Sequence, residues 1–250
     1  MCIRDSPIFR QEQGNNHVAV LSITSDRGMA GAYTSNIIRQ TEGVLKDLDA
    51  QGKVPQLYVT GRRGVTYYKY RNRDIEGTWE GDSDNPSVHT AESISRTLLH
   101  AYMTPGSEGG VSELYIIFTE FVNMVVQHVR VLRMLPIELV EDEGGVMKDQ
   151  INGRTLTPRH AALYAFEPDA RTVLDSVLPQ YVQSRIHECL LTSAASETAS
   201  RQNAMHSATE NANKLIDQLT LQMNQSRQAQ ITQELTEIVS GADALKKNKN

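Results

Sequence analysis

The sequence has little cysteine and no long hydrophobic run. Cys2 and Cys189 are the 2 cysteines among 250 residues, and no Cys-x-x-Cys pair or zinc-ligand spacing occurs. This excludes a disulfide-stapled or zinc-stapled fold and predicts a reducing compartment. The longest apolar stretches, such as Leu114 to Phe118, reach about five residues. We expect no transmembrane helix, because a membrane span needs about 20 apolar residues.

An excess of positive charge is also missing. Lys and Arg number 25 against 30 Asp and Glu, which gives a formal net charge of −5. This balance argues against a protein built to coat nucleic acid. Met1 to Ser6 lack the apolar core of a signal peptide. The hydrophobic share of 39% is low for one compact globule, so it favours one packed region joined to one elongated region.

The first two thirds of the chain alternate between strand and helix patterns. A helix capped by Thr34 or Ser35 is predicted after the first strand and closed by Gly52, and another is predicted over 88–103. This alternation predicts an α/β fold with a small parallel sheet. The glycine-containing segment 141–157 is interpreted as a flexible connection. Strands are predicted at 17–24, 56–60 and 113–118, with an edge strand or hairpin within 121–139.

The last third of the chain lacks helix breakers. No proline follows Pro179, and glycine occurs only at Gly241, so Tyr181 to Ser240 contain neither. A continuous helix of that length is roughly 90 Å long, more than a globule of this size can bury, so we expect it to project.

Apolar residues in this helix recur at coiled-coil spacing. Small polar residues dominate 192–207, and we expect them to admit a partner helix closely. The partner is either a second copy of the chain or a segment N-terminal to the first strand. The main seam contains Ile231, Leu235, Ile238, Ala242 and Leu245, and a second seam contains Ala208, Ala212, Leu215, Leu219 and Met223.

Candidate chemical motifs all have simpler readings. Gly28-Met29-Ala30-Gly31 sits between a strand and a helix, where a phosphate-binding loop could lie, but it is not G-x-G-x-x-G or a Walker A sequence. We favour a tight turn. Asp26 and Arg27 are interpreted as a turn ion pair rather than an acid-base pair. The seven histidines show no metal-ligand spacing, so no metal, cofactor or catalytic residue is predicted.

Several segments together resemble the gamma subunit of F-type ATP synthases. Ile23 to Gly31, followed by Ser35-Asn36, resembles the SDRG signature of that family. The more specific similarity lies in the tail, notably in 195–197, 208–212 and 231–242. The stretch Tyr164 to Asp169 is also family-like, and the similarity extends from about residue 8 to 245.

The resemblance implies a non-catalytic rotor subunit without a cofactor. Such a subunit has a Rossmann-like α/β foot and a C-terminal helix that turns inside the hexamer of alpha and beta subunits, which bind the nucleotides. The implied partners are the alpha, beta and epsilon subunits and the c-ring, with no nucleic acid. The implied location is the cytoplasmic face of a bacterial inner membrane, to which the protein attaches indirectly through the c-ring.

The resemblance also implies domain limits and site residues. We expect an arm at 1–16, whose first six residues are an unrelated leader in place of the family's N-terminal helix, a Rossmann-like domain at 17–170 and a coiled-coil helix at 171–250. Glu167 and Asp169 are expected to face the c-ring or epsilon. The expected contacts with the alpha/beta hexamer are Arg201, Gln228, Thr232 and Glu234, and the expected coiled-coil seam comprises Leu215, Leu219, Ile231, Leu235 and Ile238.

Two alternatives stay open on the sequence. One is a stand-alone α/β protein that binds a nucleotide at the Gly28 loop and oligomerises through its tail. The other is a free-standing coiled-coil scaffold that forms a homodimer through Ile231, Leu235 and Ile238. Nucleotide binding or stable dimerisation by the isolated chain distinguishes them from the rotor.

Overall fold

The structure, a computed structural model, describes residues 14–137, 147–148, 155–156 and 170–247. The chain divides into two units, Met1–Asn203 and Ala204–Asn250. A short 3-10 helix lies at Gly106–Glu108. The other elements are β1 (His17–Ile23), α1 (Tyr33–Ala50), β2 (Val54–Thr60), α2 (Arg62–Tyr70), β3 (Gly77–Trp79), α3 (Val88–Met103), β4 (Glu113–Phe121), β5 (Gln127–Leu135), β6 (Met147–Lys148), β7 (Thr155–Leu156) and α4 (Ala170–Lys247).

The first unit is built on a five-stranded sheet of order β3-β2-β1-β4-β5. The first four strands are parallel, and β5 pairs antiparallel with β4 at the edge. The predicted α/β fold is confirmed, as is the predicted edge hairpin. The central strand β1 is apolar on both faces because helices cover both sides of a parallel sheet. The sequence did not predict β3, which has only 3 residues.

Helices pack on both faces of this sheet. Alternate residues of β1 point to opposite faces, so Val18 and Val20 join the core beneath α1 and α2. Ala19 and Leu21 join the core formed with α3 and the first part of α4. This three-layer arrangement places the loops after β1, β2 and β3 at one edge of the sheet.

Two local predictions need correction. Neither Thr34 nor Ser35 caps α1: the Thr34 and Ser25 hydroxyls share a hydrogen bond of 2.6 Å, and the Ser35 hydroxyl donates to the Ala32 carbonyl. The segment 141–157, read as a plain connection, contains the antiparallel pair β6 and β7. The rest of that segment lies outside the described residues.

The predicted long helix is confirmed; it begins at Ala170, before the breaker-free run that starts at Tyr181, with Pro179 inside it. Two of the small polar residues of this helix contact the sheet of the same chain, and the approach of a partner helix on the remaining face stays a prediction. The Ser193 hydroxyl accepts the Thr119 N–H at 3.3 Å, and the Ser196 hydroxyl donates to the Thr119 carbonyl at 3.2 Å. Small side chains are needed here because α4 packs closely on β4 of its own sheet.

The second unit is described as helix up to Lys247. Side chains 205–241 are all exposed, including the five proposed seam residues, whose exposed fractions lie between 46% and 68%. Across the described residues, we find no helix with the length and apolarity that a membrane crossing requires.

Candidate functional site

The carboxyl ends of β1, β2 and β3 meet at the side chain of Asp26. Its Oδ1 accepts the N–H of Arg62 at 2.9 Å, and its Oδ2 accepts the N–H groups of Gly81 and Ser83, each at 2.9 Å. The Asp26 N–H in turn donates to the Ser83 hydroxyl at 2.9 Å. One nearly buried carboxylate therefore joins the loops that follow three neighbouring strands.

The charge of Asp26 is compensated by these donors. Burial by itself would raise the pKa of Asp26, but the N–H groups of Ser83, Arg62 and Gly81 outweigh it and lower the pKa. A carboxylate with a lowered pKa and both oxygens engaged is suited to holding loops, not to donating protons. The predicted ion pair with Arg27 is wrong, because Arg27 pairs with Asp84 at 3.3 Å.

The Gly28 loop forms the tight turn predicted for it. A Cβ at Gly28 would lie 2.6 Å from a guanidinium nitrogen of Arg63, and Gly31 has a φ of 55°. The cavity beside Asp26 has a volume of about 30 Å³, room for about one water molecule. Small-molecule pockets measure about 300–1,000 Å³, so the cavity beside Asp26 is itself too small to hold a nucleotide.

Arg201, an expected hexamer contact, belongs to a charge network in the first unit. Its guanidinium pairs with Glu197 one helical turn earlier and lies 3.4 Å from Asp84. Asp84 also pairs with Arg27, so the network joins α4 to the loops after β1 and β3. Glu197 and Asp84 were not among the site residues predicted from the sequence. The i,i+4 spacing of Glu197 and Arg201 was an available signal for one of these pairs.

Glu197 is the most unusual group in this network. Its side chain is 1% exposed, and burial raises its pKa to about 7, with Arg201 lowering and Asp84 raising the final value. One carboxylate oxygen, Oε2, has no hydrogen-bond partner among the described residues. Burial, with a smaller contribution from Glu197, also raises the pKa of Tyr33.

We expect Glu197→Gln to flatten the pH dependence of stability. Because the folded-state pKa of about 7 lies above the ordinary 4.5, the folded state binds more protons between these values. The free energy of unfolding therefore falls by on the order of 2 kcal/mol as pH rises from 4.5 to 7, and it stays low at higher pH. The variant removes this titration. Urea unfolding of the full chain between pH 5 and pH 8, followed by Trp79 fluorescence, measures it.

The control for this experiment is Glu80→Gln, a substitution of an exposed carboxylate in the same unit. It is expected to keep the wild-type pH profile. Parallel profiles for the wild type and Glu197→Gln contradict the assignment.

The remaining expected hexamer contacts lie in the second unit. The Thr232 hydroxyl donates to the Gln228 carbonyl at 2.9 Å, so these two share one side of the helix. Glu234 accepts the Gln230 amide at 3.2 Å. At about 100° per residue, Gln228 and Thr232 flank the Ile231 seam on one side and Glu234 flanks it on the other.

Two further expectations concern the residues that would face the c-ring or epsilon and the absence of a metal site. Glu167 and Asp169 lie outside the described residues. Within the part of the chain that the structure describes, no group of His, Cys, Asp and Glu side chains is arranged to hold a metal ion.

Comparison with known proteins gives the class of the chain. A family model described as ATP synthase matches residues 3–245, beginning before residue 8, where the sequence resemblance was placed. The ATP synthase gamma chain of Bifidobacterium adolescentis is 66% identical over 246 residues, which cover 97% of this chain and 79% of that relative. The gamma chain of Micrococcus luteus is 44% identical, covering 96% of this chain and 78% of the relative.

Solved structures share the fold. A chain of the Euglena gracilis mitochondrial ATP synthase matches with a TM-score of 0.68 at 19% identity, covering 94% of this chain and 75% of that one. A chain of the Tetrahymena thermophila mitochondrial ATP synthase, from a structure of its central stalk and c-ring, matches with a TM-score of 0.55 at 22% identity, covering 78% and 77%.

The class that these matches define is that of ATP synthase subunits. The two sequence relatives identify the type of subunit, since both are gamma chains and the chain covers more than two thirds of each. The chain belongs to the ATP synthase gamma chain family.

Proposed function

We propose that this chain is the central-stalk rotor subunit of an F-type ATP synthase. In this role it couples proton-driven rotation of the membrane c-ring to ATP synthesis in the alpha/beta hexamer, without performing bond chemistry itself. The single observation that carries the proposal, beside family membership, is the second unit: a helix whose expected seam residues Leu215, Leu219, Ile231, Leu235 and Ile238 are all exposed.

An exposed seam of this kind needs neighbours. Leu235 and Ile238 are 58% and 68% exposed, and a single helix with such a stripe is marginally stable in water. The polar positions Gln228, Thr232 and Glu234 flank the seam. Polar contacts are weak and reversible, which suits a surface that must be made and broken in each rotation.

Rotation changes the state of each beta subunit only when the rotor contacts differ between the states. A ligand with identical contacts in both states shifts no equilibrium. We place Gln228, Thr232 and Glu234 among those contacts. Arg201 is 25% exposed in its side chain, so it can bond a hexamer group while it retains Glu197.

The remaining partners follow from the same proposal. The α/β domain is the foot that grips the c-ring and the epsilon subunit, with Glu167 and Asp169 facing them. The protein then lies peripherally on the cytoplasmic face of a bacterial inner membrane, attached through the c-ring. Bacterial relatives such as those of Bifidobacterium support this location.

Glu234→Ala is expected to lower both ATP hydrolysis and ATP synthesis by the assembled enzyme about two- to fivefold, the effect of a contact worth about 0.5–1 kcal/mol. Thr232→Ala is expected to act in the same direction. The measurement is the steady-state rate of purified, membrane-reconstituted complex.

Glu237→Ala is the matched control, because Glu237 also accepts a glutamine amide from the preceding turn but lies farther from the seam. It is expected to keep near wild-type rates. Unchanged turnover in Glu234→Ala refutes the contact. Stable homodimers of the chain that exclude alpha and beta subunits refute the rotor proposal itself.

A further inference from the structure

A basic groove lies between α1 and α2. Its volume is about 970 Å³, and it is open to solvent along its length. Four exposed cations lie along it together with the aromatic rings of Tyr67 and Tyr70. The cations are Arg39 and Lys46 on α1, Arg63 on α2 and Arg71 at the end of α2.

The positive charge of this groove is not balanced by its own walls. Glu42 is the one acidic residue among its described lining residues, and Glu42 already lies 3.9 Å from Arg73. In the described part of the chain, none of the four cations forms an ion pair. A concave surface of one sign concentrates a partner of the opposite sign and fixes its register.

The shape of the groove fits a polypeptide segment. Gly43 lines it without a side chain, and open space lies where its Cβ would be. Tyr67 is held edge-on against Tyr68 at 5.2 Å, and the Arg71 guanidinium sits 5.2 Å from the Tyr67 ring centre. Tyr70 is 87% exposed at the rim. Tyr and Arg are the residue types that dominate interface energetics.

We propose that the α1–α2 groove binds an acidic polypeptide segment of a neighbouring ATP synthase subunit. The placement of that partner in the ATP synthase rests on the proposed function. The acidic character of the segment rests on the unbalanced cations. A protein segment is favoured over an anionic membrane because Gly43 and the ring of Tyr67 are half-buried between two helices, whereas a bilayer surface meets protruding side chains.

Carbodiimide cross-linking of the purified ATP synthase complex tests this proposal. The reagent joins an amine to a carboxylate in direct contact, and Lys46 is the one lysine among the described lining residues. We expect a Lys46 cross-link to an Asp or Glu of another subunit, located by mass spectrometry. Lys69, exposed on α2 outside the groove, is the internal control and is expected to give little of that product.

Charge reversal provides the second measurement. Arg39→Glu combined with Arg71→Glu is expected to reduce the Lys46 cross-link about tenfold, because two attractive pairs become repulsive. The matched double variant Arg62→Glu with Arg96→Glu, at two exposed cations outside the groove, is expected to leave it unchanged.

Each other outcome is decisive. If the complex is intact but Lys46 gives no intersubunit cross-link, the groove proposal is overturned and the proposed function is not. A different result is that the chain sediments with anionic phosphatidylglycerol vesicles, that this depends on the groove cations, and that Lys46 gives no cross-link. The groove then binds a membrane surface, and the proposal of an acidic polypeptide segment is overturned. A chain that fails to co-purify with alpha and beta subunits overturns the proposed function and this partner assignment together.

Discussion

The Asp26→Ala variant is expected to lose about 3 kcal/mol of unfolding free energy, because it removes the acceptor of three part-buried N–H groups and each hydrogen bond contributes about 1 kcal/mol. The donors belong to Arg62, at the start of α2 directly after β2, and to Gly81 and Ser83 in the loop after β3. Losing the carboxylate therefore releases the loops after β2 and β3 from the loop after β1.

Urea unfolding followed by Trp79 fluorescence measures this loss, since Trp79 is the single tryptophan and ends β3. Asp26→Asn keeps one acceptor oxygen and provides a measurable intermediate where Asp26→Ala does not fold. Asp82→Ala removes an exposed acid of the neighbouring loop, so its expected cost is below about 1 kcal/mol. A loss below 1 kcal/mol for Asp26→Ala contradicts the role of the carboxylate.

The pKa of Asp26 adds a second readout. Its folded-state pKa lies below the ordinary value of 3.8, so the unfolded state takes up the proton first as pH falls. The contribution of Asp26 is complete above 3.8 and is lost as pH falls through the folded-state pKa. Asp26→Asn is expected to remove this part of the acid sensitivity.

The Arg201→Ala variant is expected to lose about 3 kcal/mol of stability at pH 8, because it leaves the Glu197 carboxylate buried without a counter-charge. The loss is expected to shrink at pH 5, where Glu197, with a pKa of about 7, takes up a proton. Unfolding of the full chain at both pH values measures the difference.

Arg27→Ala is the matched control, since Arg27 pairs with the same Asp84 but its side chain is 74% exposed. Its expected cost is below about 1 kcal/mol. Glu197→Gln added to Arg201→Ala is expected to recover part of the loss, since the pair is coupled. Equal losses for Arg27→Ala and Arg201→Ala, or a loss independent of pH, contradict the network.

These two clusters bear on how a rotor works. Torque applied to a helix reaches its domain only through contacts that do not slip. In the first unit, α4 is attached to the sheet by Ser193 and Ser196 on β4 and to the outer loops by the Glu197–Arg201–Asp84 network. Variants that loosen this network are therefore expected to affect coupling as well as stability.

The sequence by itself determined the longer regular elements and the family. The predicted helix over 88–103 has the bounds observed for α3, and the breaker-free run after Pro179 is helical as expected. These features depend on local periodicity and on the absence of Gly and Pro, which act within a few residues of the chain. The SDRG stretch and the tail motifs also indicated the gamma chain family, because each is a continuous run of residues that can be read from the sequence.

Only the tertiary structure decided what those residues contact. Asp26 is joined to partners 36, 55 and 57 positions away, and Arg201 to one 117 positions away. The cap expected at Thr34 failed because α1 already begins at Tyr33 with Ala32 at its N-cap, which leaves the Thr34 hydroxyl to bond Ser25. Ser193 and Ser196 contact the sheet of their own chain. The sequence could not predict this, because a helix with small side chains packs as well on a strand as on another helix and periodicity does not distinguish the two surfaces.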